Sequence, residues 1–470
     1  MKLARRTVLK NRKRFIAALS ILVVVVLGVG VALSVYLVPR ARGVNSIDAS
    51  SWVKGVPFPP ETAQVDNVFV KAGDDAPRPS AEAIAAALDP IVADPMFHDF
   101  TGTVVDAASG KTLWEYNPNS ALQSASVMKL LTAQAALLVL PTDHRVKTET
   151  LLASDGTLIL KGYGDVTLSN AELGEPSFYQ DAAHLSTLAA RTKKALAKHG
   201  VTPKRILVDT SFYRGSTMAR AWHTADIDGG SVAPMSPVMV DGGRKNNRME
   251  NSARVMSPAT QAGKALAQYL GISKVSVTNQ SSTAGTVLGT VWSAPLITRL
   301  HDLLIHSDNV LAEAVGREIA HHENQPATFD GATTAIKNIL KKHKVDVDNL
   351  DMYDASGLSL DNRLSSATLV EVLQLSTKND VSRNLLDDLP VSGGSGTLSY
   401  RFQGSDKDAR GWIRAKTGTL STASSLAGFV VNRDGRVLLF AFIMNGEPPH
   451  VARPGLDTLA ATLYTCGCED

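Results

Sequence analysis

The apolar run Leu130-Leu131-Thr132-Ala133-Gln134-Ala135-Ala136-Leu137-Leu138, stopped by Pro141, reads as a helix buried on every side. A chain built around such a helix must wrap it in other elements, and Ser126-Val127-Met128-Lys129 falls at its first turn. Three residues along a helix return to nearly the same face, so Lys129 comes beside the Ser126 hydroxyl. A serine hydroxyl is a weak nucleophile until a neighbouring base takes its proton. A lysine lowered in pKa by burial is such a base, and the positive helix N-terminus favours negative charge developing nearby. Taken alone, the same letters also describe an ordinary N-capped core helix with an exposed lysine.

Two later stretches decide between these readings. Ser307-Asp308-Asn309 falls between the apolar run 296–305 and a second helical pattern, Val310, Leu311, Ala314 and Val315. Lys416-Thr417-Gly418-Thr419 lies in a strand-like segment ahead of another strand. The trio S-x-x-K, S-D-N and K-T-G, in this order, is that of serine β-lactamases and penicillin-binding proteins. Three short motifs, each in a fitting local context, favour the catalytic reading.

The 470 residues suffice for two or three domains. The formal net charge of +3 is uneven: Lys2, Arg5, Arg6, Lys10, Arg12, Lys13 and Arg14 precede residue 15 without an acid, leaving 3 − 7 = −4 for the rest. No nucleic-acid partner is implied. Residues 15–38 carry no charge and are long enough to span a bilayer. The basic flank places residues 1–14 in the cytoplasm and everything after residue 40 outside. The length of the run, and its continuation into Pro39-Arg40-Ala41-Arg42, favour an uncleaved anchor in the cytoplasmic membrane over a signal peptide whose removal would leave a secreted protein. The two cysteines, Cys466 and Cys468, would form a strained ring if bonded, and no catalytic role is assigned to them. His321-His322-Glu323 lies on a polar helix end and reads as a solvated face, so no metal site is expected.

Along the chain, residues 39–84, with Pro57, Pro59-Pro60, Gly73-Asp74-Asp75, Pro77 and Pro79, read as an extended spacer. Organised structure begins with an alanine-rich helical pattern over 81–93 and a β-hairpin of 101–106 and 112–116. Far more chain separates Ser126 from Ser307 than a compact fold needs to join two active-site elements. Residues 148–285 are therefore expected as an inserted region of one or two subdomains, splitting a catalytic domain into 85–147 and 286–470. Within it, Leu158-Ile159-Leu160 runs into Gly162-Tyr163-Gly164-Asp165, which lacks the lysine and spacing of a phosphate loop and reads as a tight turn. Helical patterns at 310–321, 333–342 and 456–464 alternate with strands at 412–419, 426–431 and 437–444. Hairpin strands at both ends of the sequence imply an α+β sandwich whose antiparallel sheet the N-terminal hairpin completes.

From about residue 85 to its end, the chain resembles the low-molecular-mass class C penicillin-binding proteins, the D-alanyl-D-alanine carboxypeptidase/endopeptidase family with a large insert after the active-site serine. Beyond the trio, the resemblance rests on Gly162-Tyr163-Gly164-Asp165, Asp354-Ala355-Ser356-Gly357-Leu358-Ser359, Ser395-Gly396-Thr397-Leu398 and Ala415-Lys416-Thr417-Gly418-Thr419-Leu420, running on to Leu426-Ala427-Gly428-Phe429. Ser124 and Val166 stand where members commonly have proline, at positions without chemistry. The resemblance implies the transpeptidase-type sandwich and acyl transfer on peptidoglycan stem peptides without metal or organic cofactor. Ser126 would attack the carbonyl between two D-alanines, with Lys129 accepting its proton. Ser307 would relay a proton to the leaving amine under the influence of Lys416, and Asn309 would bond the peptide. Thr417, Gly418 and Thr419 would bind substrate, the two threonines taking the terminal carboxylate, and the N–H groups of Ser126 and Thr419 would form the oxyanion hole. Asp308 would be structural. β-Lactams would acylate Ser126. A β-lactamase is the alternative within this chemistry, though no carboxylate can be assigned to a deacylating water. A catalytically silent wall-binding scaffold is the alternative from another class.

Overall fold

Ser80 starts the first helix. Its side-chain oxygen accepts from the N–H of Ala83, and helix α1 (Ala81–Val92) turns Ile84, Leu88 and Val92 inward. This start lies inside the stretch read as spacer. The computed structural model describes residues 76–281 and 285–466, which belong to one compact unit, Lys71–Asp470. The basic segment 1–14, the apolar segment 15–38, most of the spacer, and Cys468 lie outside the described residues.

After α1 come β1 (Asp99–Asp106), β2 (Thr112–Tyr116), a single 3-10 turn (Ala125–Val127) and α2 (Met128–Val139). Every residue of α2 from Met128 to Leu137 is buried, so Lys129 is not the exposed lysine of an ordinary surface helix. The chain then builds a separate sheet from β3 (Lys147–Leu152), β4 (Leu158–Gly162), β5 (Arg205–Asp209), β6 (Lys274–Thr278) and β7 (Thr286–Trp292), with α3 (Leu185–His199) and α4 (Pro258–Leu270) between its strands. Its order is β6-β5-β4-β3-β7. The β4–β5 and β5–β6 pairs are parallel, and β3 is antiparallel to both of its neighbours. Leu160, Ile206 and Val208 pack there against Leu188 and Leu266 of the two helices. The parallel pairs require helical crossovers, which α3 and α4 supply.

Five helices follow and pack around α2: α5 (Leu296–Ile305), α6 (Asn309–His322), α7 (Phe329–Lys342), α8 (Ser366–Ser376) and α9 (Asp380–Asp387), of which α8 also lies on the first sheet. The chain ends in β8 (Ile413–Thr419), β9 (Ala423–Val431), β10 (Val437–Asn445) and α10 (Pro449–Thr465). This sheet has the order β2-β1-β10-β9-β8 and is antiparallel throughout. The expected sandwich is observed: the N-terminal hairpin pairs with the last strand, Val104 opposite Phe440. β10 is buried at every position because helices cover both faces of its sheet, so it reads as an unbroken apolar run. One side of the core joins Ile84, Phe100, Trp114, Phe440 and Phe442 to Leu456 and Leu459 of α10.

β8 is the edge strand. The N–H of Ala415 points away from β9 and donates to the Pro390 carbonyl, 3.0 Å away. By strand alternation the backbone groups of Thr417 and Thr419 face the same outer edge.

Candidate active site

The 3-10 turn brings Ser126 onto the end of α2 by way of Ala125, which has φ of 49°. Two glycines permit this turn. A Cβ on Gly357 would overlap the Ala125 carbonyl oxygen, and one on Gly418 would lie 2.9 Å from the Ser126 nitrogen. The turn that carries Ser126 is therefore clamped between the 354–359 loop and strand β8 at one edge of the sheet.

Lys129 lies one turn on, and its Nζ is 2.8 Å from Ser126 Oγ. It also donates to Asn309 Oδ1 at 2.6 Å and to the Ser356 carbonyl at 2.7 Å. Burial lowers the Lys129 ammonium to about 8, although Asp354, Asp308 and Glu313 pull it upward. Ser307, with φ of 54°, ends the short link from α5. Lys416 Nζ donates to Ser307 Oγ at 2.8 Å and to the Thr417 carbonyl at 2.9 Å. Burial, and then the charge of Lys129, push the Lys416 ammonium well below its ordinary range. Two hydroxyls that are only half-buried thus each rest on a fully buried amine.

Asp308 caps α6, accepting from the Leu311 N–H at 2.9 Å. Its other oxygen takes Tyr179 at 2.9 Å, Arg244 at 2.8 Å and Arg254 at 3.2 Å. Burial alone would raise this carboxyl, but Arg254 and Arg244 hold it well below the carboxylate range. Its role is to brace the helix start. The amide nitrogen of Asn309 donates to the Ser231 carbonyl at 2.9 Å, so Asn309 links Lys129 to the loop that carries Ser231. Thr417 Oγ1 donates to Thr397 Oγ1 at 2.7 Å, and Thr419 Oγ1 accepts from Arg453 at 2.9 Å.

All eight residues singled out from the sequence, Ser126, Lys129, Ser307, Asn309, Lys416, Thr417, Gly418 and Thr419, lie on the elements that meet here. Of the further residues at the site, Asp354 falls in the 354–359 stretch that carries the resemblance, whereas the others had no short-range signal. Asp354 ties its own loop by accepting from the Gly357 and Ser359 N–H groups, at 2.7 and 2.6 Å. Glu313, one turn beyond Asn309 on α6, accepts from the Ala355 N–H at 2.9 Å and from Arg317 at 3.5 Å. Burial, and then Asp354, push the Glu313 carboxyl up to about 8. Tyr179, Arg244, Arg254 and Arg453 arrive from distant parts of the chain, where only the topology places them. Among the described residues, no group of three or more His, Cys, Asp or Glu side chains is arranged to hold a metal.

Comparisons with known proteins give the family and the fold. The family described as the D-Ala-D-Ala carboxypeptidase 3 (S13) family matches residues 84–253 and 244–464. Carboxypeptidase DacB of Mycolicibacterium smegmatis is 42% identical over 452 residues, covering 94% of this chain and 97% of that protein. A carboxypeptidase of Mycobacterium tuberculosis is 42% identical over 418 residues, covering 87% and 90% of the two chains. The crystal structure of penicillin binding protein 4 from Haemophilus influenzae superposes with a TM-score of 0.66 at 22% identity, over 82% of this chain and 98% of that one, and shares the fold. The chain belongs to the D-Ala-D-Ala carboxypeptidase 3 (S13) family.

Proposed function

We propose that this chain, a serine-type D-Ala-D-Ala carboxypeptidase, works outside the cytoplasm on peptidoglycan stem peptides through an acyl-enzyme on Ser126. The observation that carries the mechanism is the 2.8 Å contact between Lys129 Nζ and Ser126 Oγ inside a buried amine site. With its ammonium lowered to about 8, part of Lys129 is neutral near neutral pH and accepts the Ser126 proton as Oγ attacks the penultimate carbonyl. The stem peptide lies along the outer edge of β8 as an added strand. Its carbonyl oxygen takes the N–H groups of Ser126 and Thr419, a pair worth a few kcal/mol of barrier per donor. Ser307 relays to the leaving D-alanine nitrogen the proton that Lys129 took from Ser126, so that its own hydroxyl is restored, and buried Lys416 orients the Ser307 hydroxyl. The terminal carboxylate meets Thr417 and Thr419, with Lys416 and Arg453 supplying positive charge. Water then attacks the acyl-enzyme and releases the shortened peptide.

β-Lactams acylate Ser126 by the same route. The Haemophilus influenzae relative, whose fold this chain shares, has been crystallised with a β-lactam bound. Residues 15–38 serve in this reading as an anchor in the cytoplasmic membrane, and the β3–β7 region as an insert within the catalytic domain.

The test is intact-mass analysis after incubation with benzylpenicillin, beside Ser126→Ala, together with D-alanine release from a pentapeptide ending in D-Ala-D-Ala. A lasting adduct on the native protein alone, with D-alanine released, supports the reading. Rapid drug turnover without an adduct indicates a β-lactamase, and no reaction from folded protein leaves only a scaffold.

A further inference from the structure

The second sheet presents one edge that the catalytic residues do not use. Lys147 at the start of β3 pairs with Trp292 at the end of β7, and Thr148 pairs with Gly162 at the end of β4. Because β4, β5 and β6 run parallel, their carboxyl ends lie on that same edge. Three cavities follow it, of about 240, 680 and 620 Å³. The first two share Tyr163, Phe212 and His321, and the second and third share Ser211 and Arg214. Together they form one trough across five strand ends, about 19 Å at the usual strand spacing. Carboxyl ends of parallel strands are a common place for ligands. The C-terminal half of α6 lines the trough with Arg317, Glu318 and His321.

The lining combines rigid aromatic surface with positive charge. Trp292 is 51% exposed. Tyr163 stands edge-on to Phe212 at 5.7 Å, and Phe212 to His321 at 5.0 Å. The Tyr163 hydroxyl donates to Glu149 at 3.1 Å, and Lys147 lies over its ring, so the platform is held in place before any ligand arrives. Arg145 and Arg214, both exposed, bring positive charge to the trough. Lys147 and Lys161 also line it but are paired with Glu149 and Asp209, and the one acid of the lining, Glu318, is neutralised by Arg299. Arg317 spends its hydrogen bonds through Nη1 on Glu313, and its Nε is buried without a partner. Aromatic edges and faces suit the C–H surfaces of sugar rings, the cations suit carboxylates, and the length suits a polymer.

We propose that this trough is a holding site, separate from the catalytic serine, for the glycan strand of peptidoglycan at stretches where muramic acids have lost their stem peptides and present free carboxylates. The assignment of the polymer rests on the function proposed above. Helix α6 joins the two places. From Asn309, which touches Lys129, to His321 on the trough is about 18 Å along the helix axis. A strand seated on the insert thus keeps neighbouring stem peptides within reach of Ser126.

The test uses the full-length chain, Trp292→Ala and Arg214→Ala, two exposed positions outside the catalytic machinery. The probes are glycan strands stripped of stem peptides, neutral chitotetraose and poly-glutamate. Each variant is expected to bind stripped strands about tenfold more weakly, as for an interface anchor. KM for D-alanine release from intact wall should rise with it, while kcat and the kinetics on a soluble pentapeptide stay as in the native protein. Chitotetraose should bind more weakly than the strands, and poly-glutamate should not displace them. Unchanged strand binding in both variants overturns the proposal, as does native protein that fails to retain strands. Equal affinity for chitotetraose, or efficient displacement by poly-glutamate, overturns it too. Native protein that retains strands but releases no D-alanine from soluble pentapeptide would refute the catalytic reading instead.

Discussion

The chemistry proposed for Ser126 and Lys129 depends on burial as much as on contact. An amine with three acceptors within 2.8 Å would ordinarily stay charged, yet the cost of burying that charge brings Lys129 to about 8. The rate of Ser126 acylation by benzylpenicillin should therefore climb with pH and level off above about 8. Stopped-flow acylation between pH 6 and 10 checks this, and a flat profile would remove Lys129 as the base. Lys129→Met should slow acylation by roughly 10²–10⁴-fold, the usual worth of a positioned base, with the fold intact by circular dichroism. Glu313 gives a thermodynamic counterpart. Its carboxyl is raised from 4.5 to about 8, so the folded state holds a proton that the unfolded chain releases first. The stability it permits is complete below about 4.5 and falls as pH rises towards 8. Glu313→Gln, which keeps an acceptor for the Ala355 N–H, should flatten that fall, read as Tm against pH. Parallel Tm curves for the two proteins would contradict it.

The elements around the nucleophile depend on residues that cannot be exchanged for ordinary neighbours. Gly357 adopts φ of +84° under the Ala125 carbonyl, and Gly418 lies against Ser126. Alanine at either position should cost about 1–3 kcal/mol in urea unfolding and depress acylation, because the turn carrying Ser126 must shift to make room. Asp308→Ala should be harsher, about 3–5 kcal/mol, because Arg244 and Arg254 would remain buried without their counter-charge. Wild-type midpoints for these variants would show that the clamp and brace are slack. Such positions mark what could be read from sequence. Ser126 with Lys129, Ser307 with Asn309, and the Lys416 strand announce themselves through spacings of a few residues. The N-terminal hairpin and the last three strands were equally legible, because alternation and turns are local. Helices α8 and α9 were not anticipated. Nor were the parallel pairs of the second sheet, since strand partners are chosen across long stretches of chain. Arg453 reaches Thr419 from the first turns of α10, which begins earlier than its apolar pattern suggests because Pro449 is accommodated at the helix start. Nothing near Arg453 in the sequence points to β8.

The chain is a D-Ala-D-Ala carboxypeptidase, and the anchor proposed for residues 15–38 sets a further expectation. The full-length protein should sediment with membranes through high-salt washing and leave them only in detergent, whereas a truncation beginning at residue 43 should be found in the soluble fraction. Recovery of the full-length protein in the salt wash would argue against the anchor. The topology of the catalytic sheet has a consequence of its own. β10, the last strand in sequence, stands at the centre of the sheet, with β1 on one side and β9 on the other. The N-terminal hairpin has no place to dock until residues 437–445 have emerged, and contacts of such long range form late. Lys416 and Gly418 arrive with the same final stretch. The chain therefore cannot assemble this sheet, or the strand that carries Lys416, until nearly its whole length is free to fold.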